Sequence, residues 1–145
     1  MIKSSLQVFA DRVIEARAIT AEDVAALRRD ILPDGVGSRE EVDVLVALDR
    51  VAAAEGAWAD YLLAEVVSFA VWTSRPTGYI DHDTARWLVT TLSCGHGPTE
   101  TAARIAFEVV REAQRVDELL LTFVLGACRP PFGGRVVRPA TKLAA

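Results

Sequence analysis

A chain of 145 residues, 51% of them apolar, is large enough to bury one hydrophobic core and small enough to need only one. Its formal charge of −4 excludes the general basic field that recruits nucleic acid. Two cysteines, and a start from Met1 to Ala10 with one lysine and no continuous apolar run, predict a reduced cytoplasmic protein without a disulfide framework.

Along the chain the periodicity is helical. Leu6, Phe9, Ala10, Val13 and Ile14 keep the spacing of one helical face. Thr20 is a good N-cap for a second helix, with Asp23 three residues on and Glu22 beside it; Ile19 and Val24 stand where a hydrophobic staple would join. Its stripe is Val24, Leu27 and Ile31, and it ends before Pro33. Ser38 caps a third helix, predicted from Arg39 to Glu55, with Val42, Leu45, Val46 and Leu48 inward and Gly56 as its breaker.

The fourth helix, Ala57 to about Ser74, is apolar on nearly every side through Trp58, Tyr61, Leu62, Val66, Phe69, Ala70 and Trp72, which predicts the central helix of a bundle. Asp60 and Glu65 inside this longest apolar stretch argue against a membrane span. Asp81 caps a helix running through Leu92, with Trp87, Leu88 and Leu92 packing. After the breaker Gly95-His-Gly-Pro98, Thr99 opens a helix to about Arg115. The last helix carries Leu119, Leu120, Phe123, Val124 and Ala127 and ends at Pro130, Pro131, Gly133 and Gly134. No alternating strand pattern recurs. The expected fold is therefore all-α, a single-domain bundle of about seven helices over residues 1–132. Residues 133–145, with Arg135, Arg138, Lys142 and no acid, read as a basic flexible tail or an arm that orders on a partner.

Three segments echo one another: Asp34-Gly-Val-Gly-Ser38, Thr77-Gly-Tyr-Ile-Asp81 and Gly95-His-Gly-Pro-Thr99 each set a turn before a helix cap. Duplication of a helical pair would produce that echo, and so would turn chemistry alone.

Asp30 to Glu41 is the one stretch that suggests a ligand. Set as a twelve-residue calcium loop, it places Asp30 first, Asp34 fifth, Gly35 at the sharp turn, Ser38 ninth and Glu41 twelfth. Against that reading, Leu32 stands where a third ligand oxygen belongs, Pro33 stiffens the entry and Gly37 replaces an apolar support. The same residues also make a capping box, Ser38-Arg-Glu-Glu41, whose glutamate would reach back to the Ser38 amide. The architectural reading is preferred, and the metal candidates are Asp30, Asp34, Ser38 and Glu41 with calcium or another divalent cation.

Other chemistry finds little support. Cys94, His96, Cys128 and His82 lack the paired spacing of a zinc site. No nucleophile elbow, phosphate loop or dinucleotide fingerprint occurs, and Asp81 is needed as a cap, so no enzyme is expected. Trp58, Trp72 and Trp87 lie on apolar faces, where core packing is the expected role.

Five motifs carry a resemblance: Asp34-Gly35, Ser38 to Glu41, Trp58 to Phe69, Pro76-Thr-Gly-Tyr79 and Ala85-Arg-Trp-Leu88. From Ile19 through Leu92 the chain resembles the TerB-like, tellurite-resistance type of helical domain in its uncharacterised bacterial branch. The resemblance implies an all-helical fold, metal binding at acidic Asp-Gly loops and a role in stress-related systems. Asp34 and Glu41 are the matching positions. The chain departs from the pattern at Gly95-His96, where a second acidic loop is missing. Two functions follow: a non-enzymatic helical adaptor engaging a protein partner or a second copy of itself, or a divalent-metal-binding stress-resistance protein.

Overall fold

The structure, a computed structural model, describes residues 4–73, 77–93 and 97–127. It is an all-α bundle. The helices are α1 (Ser4–Ala16), α2 (Ala21–Ala26), α3 (Arg39–Val51), α4 (Gly56–Val67), α5 (His82–Leu92), α6 (Glu100–Glu112) and α7 (Glu118–Ala127). Both α2 and α4 run on without a break into wider π-type turns, at Leu27–Ile31 and Ser68–Thr73. Among the described residues no helix is long and apolar enough to cross a membrane.

The caps form where the sequence places polar residues. The Thr20 hydroxyl and the Asp23 carboxylate exchange a reciprocal capping box, and Ser38, Asp81 and Thr99 each accept from the amide three residues on. Ile19 and Val24 are both buried, as a staple requires. The core gathers Leu6, Phe9 and Val13 of α1, Leu45 and Leu48 of α3, Trp58 and Leu62 of α4, Leu88 of α5 and Ile105 of α6.

Four expectations need correction. Ile14 is exposed, because the buried stripe of α1 ends at Leu6, Phe9, Ala10 and Val13. Helix α3 stops at Val51, and Gly56 opens α4 rather than closing α3. Between them Ala53–Ala54 forms a strand, since the amides of Ala53 and Glu55 donate to the carbonyls of Arg17 and Ile19. Trp72 is 46% exposed, so it is no core residue. Finally, short strands do exist: β1 (Ala18–Ile19) pairs in parallel with β2 (Ala53–Ala54), and β3 (Tyr79–Ile80) with β4 (Arg115–Val116).

These strand pairs reveal a repeat. Arg17, Ile19, Thr20 and Ser38 recur at constant spacing as Gly78, Ile80, Asp81 and Thr99. Arg17 and Gly78 both take positive φ, 58° and 82°. The spacing lengthens by one residue at Gln114, after which Ala53, Glu55, Trp58 and Leu63 correspond to Arg115, Asp117, Leu120 and Leu125. Arg115 and Asp117 donate to the carbonyls of Gly78 and Ile80, repeating the pattern of Ala53 and Glu55 on Arg17 and Ile19. Packing repeats as well: α2 and α3 lie on α4 as α5 and α6 lie on α7, and α1 lies on α3 as Ser68–Thr73 lies on α6.

Candidate functional site

The turn between α2 and α3 is built by backbone amides that face carboxylates. The helix through Ile31 ends when Leu32 donates to the Leu27 carbonyl, and Gly35 closes a turn onto the Leu32 carbonyl at 3.0 Å. Gly35 takes φ 81°, and a Cβ there would sit 2.9 Å from Oε1 of Glu65. The positive φ favours glycine, and a Cβ would also displace the Glu65 carboxylate from its place in the turn.

The next two amides are taken by acids from two helices. The Val36 N–H donates to Oε1 of Glu65 at 3.1 Å, and the Gly37 N–H donates to Oε1 of Glu41 at 2.8 Å. Glu41, 4% exposed, thus reaches one residue further back than the Ser38 amide that the capping box predicts. The Ser38 hydroxyl accepts from the Glu41 amide at 3.3 Å.

Beneath this turn lies Tyr61, one helical turn before Glu65 on α4 and 1% exposed, its hydroxyl buried without a hydrogen-bond partner. Burial pushes its phenol up to about 12, assisted by the negative charge of Glu65 and then Glu41, and opposed by Arg28, whose guanidinium stands 5.4 Å over the ring. Of the two residues whose amides the acids take, Val36 alone is buried, so Glu65 supplies an acceptor to an amide shielded from water, whereas Glu41 serves Gly37, which is exposed.

The four metal candidates are only partly gathered. Ser38 and Glu41 meet at the helix start. Asp30 is exposed and pairs with Arg29 at 3.2 Å, and Asp34 is exposed. Among the described residues no group of three or more His, Cys, Asp or Glu side chains is placed to hold a metal ion. Cys94, His96 and Cys128, the basic tail and the closing Pro-Gly segment lie outside the described residues. His82 is the first residue of α5, with its Nδ1 3.2 Å from Asp117.

Glu65 is the residue that sequence reasoning missed. Its available signal was a lone carboxylate in an otherwise apolar helix, which costs stability unless a donor meets it.

A second surface is apolar. Leu63, Ala64, Val67, Ser68 and Trp72 form, with Glu108 of α6, a cleft of about 280 Å³. On α7, Leu121 and Leu125 stand one turn apart, 40% and 75% exposed. Phe107 on α6 is also exposed. No family model, no curated protein and no solved structure matches the chain.

Proposed function

We propose that this chain is a non-enzymatic helical interaction module that engages a protein through the outer face of α7. The observation that carries the reading is the exposure of Leu121 and Leu125 on one helical face. Two leucines open to water at adjacent turns cost about 1–2 kcal/mol each relative to burial, which a partner that covers them recovers. The acids around Gly35 support the same reading, because their hydrogen bonds hold the loop and leave the apolar surface as the open feature. The motifs shared with TerB-like domains favour a stress-related setting for such a module.

The test is a photo-crosslinking amino acid at position 125 in cells. The expected result is one discrete adduct that disappears when Leu121→Arg is added. A uniform background at position 125, equal to that from exposed Glu22, would overturn the reading.

Divalent-metal binding by Asp30, Asp34, Ser38 and Glu41 is the competing proposal. It has weaker support, since Oε1 of Glu41 already accepts from Gly37 and Asp30 faces Arg29. A calcium-dependent rise in melting temperature would favour it.

A further inference from the structure

The repeat shows how the open face of α7 is covered elsewhere in the same molecule. By the spacing after Gln114, Leu121 and Leu125 correspond to Ala59 and Leu63 of α4. Those two residues face α6: Ala59 shares a cleft with Thr99, Glu100 and Thr101, and Leu63 shares one with Glu108. Helix α4 packs along α6 across the boundary between the halves, whereas among the described elements α7 packs on α5 and α6 of its own half. The inter-half contact therefore has one side open at α7. Instead of the polar surface expected at the end of a repeat, that side carries two leucines.

The other side is open too. Helix α3 corresponds to α6, so Thr101 and Glu108 become Glu40 and Ala47. Both are exposed, and Val51, one turn beyond Ala47, is 55% exposed. Among the described residues the complementary face at the far end of the repeat is thus exposed, apolar at Ala47 and Val51, with Glu40 at its rim. Helix α1 already lies on α3 as Ser68–Thr73 lies on α6. A neighbour's α7 followed by this chain's α1 would therefore line α3 as the two ends of one long helix line α6.

We infer that the occupant is a second copy of this chain, its α3 lying on α7 as α6 lies on α4, so that copies associate head to tail. This rests on the interaction reading above and names its partner. Because the two faces differ, the association is heterologous and does not close at two copies by itself.

Sedimentation and light scattering of the full chain test it. The weight-average mass is expected to climb with concentration past twice the monomer's 15.7 kDa. Leu125→Arg and Ala47→Arg, both at exposed positions, are each expected to be monomeric alone. Mixed in equal amounts they should form two-chain species that grow no further, since each supplies the face the other lacks. Leu125→Ser, which adds no charge, should weaken association at least tenfold with the helical signal and melting temperature kept. Two results overturn the inference: a wild-type chain that stays monomeric to millimolar concentration, or an Ala47→Arg variant that associates as the wild type does, which is the mark of α7 packing on α7. The crosslink at position 125 separates the two failures. An adduct with a different protein and a monomeric wild type removes the second copy and keeps the interaction module; no adduct and no association removes both.

Discussion

The two halves share strand pairs, caps and helix order, yet they treat their inter-helix turns differently. The first half holds its turn with Glu41 and Glu65, each taking a loop amide. In the second half the corresponding positions are Ala102, which is buried, and Ala127. The acids are thus not a requirement of the repeat. They answer a local need of the Leu32–Gly37 turn, which packs Val36 against the core and must satisfy the amides brought in with it. The halves differ again at their last helices: α4 is covered by α6, whereas among the described residues nothing covers Leu121 and Leu125 of α7.

The strongest break of the comparison is at the joint between the halves. Asp49 of α3 accepts from the Trp58 indole at 3.1 Å and from the Thr99 hydroxyl, the cap of α6, at 2.7 Å. Its counterpart on α6 is Val110, so the joint is made once. Asp49→Ala leaves the indole N–H of a 1%-exposed tryptophan without a partner and is expected to cost about 3 kcal/mol. Chemical denaturation measures it, and a double-mutant cycle with Thr99→Val should show coupling of about 1 kcal/mol. If the two effects simply add, Asp49 does not tie the halves through Thr99.

Next in size is the turn itself. Glu65→Ala strands the amide of Val36, which is buried, at a cost of about 2 kcal/mol; Glu41→Ala exposes the Gly37 amide to water and should cost only about 1 kcal/mol. Equal costs would mean that the burial of the two amides does not set the difference. Millimolar calcium is expected to leave the melting temperatures of the wild type and both variants unchanged. A rise confined to the wild type would return the turn to the metal proposal.

A smaller effect separates the two hinges. Arg17 and Gly78 hold equivalent positive-φ positions, one with a Cβ and one without. Gly78→Ala should destabilise by about 1 kcal/mol, since φ 82° is a conformation that an L side chain rarely adopts, while its Cβ would meet the Gln114 side chain only in ordinary contact. Arg17→Gly should gain a few tenths of a kcal/mol, strain relief being partly offset by the freer unfolded chain. Thermal melts of the pair decide it, and a loss at Arg17→Gly would show that the arginine is not strained there.

What could be read in advance follows from range along the chain. Caps and amphipathic stripes are local, so Thr20, Ser38, Asp81 and Thr99 and the seven helices were legible. The strands were not. Two residues are too few to show alternation, and each partner lies more than thirty positions away. Gly56 was misread for the same reason: glycine suggests an end to α3, and only the pairing of Ala53–Ala54 with β1 shows that the helix had already stopped. Glu65 could be recognised as anomalous in an apolar helix, but its donor, the Val36 amide, belongs to a turn far upstream. Trp72 failed because hydrophobic character all round α4 hides which side lacks a neighbour.

The smallest expected effect distinguishes the two equivalent caps by pH. Thr20 caps α2 with a hydroxyl, and Asp81 caps α5 with a carboxylate. The Thr84 amide and then the Thr84 hydroxyl hold the Asp81 carboxyl below its ordinary 3.8, with the positive charges of Arg39 and His82 adding to them against a small cost of burial. A folded value below the unfolded one means that the charged cap contributes fully above the unfolded value. That contribution is lost as pH falls through the folded one. Asp81→Ser keeps an oxygen for the Thr84 amide and removes the titration. Its stability should therefore fall less steeply than the wild type's between about pH 5 and pH 3, while Thr20→Ser leaves that slope as it was. Parallel curves for Asp81→Ser and the wild type would mean that the aspartate caps through geometry alone and that the two halves are equivalent at this position.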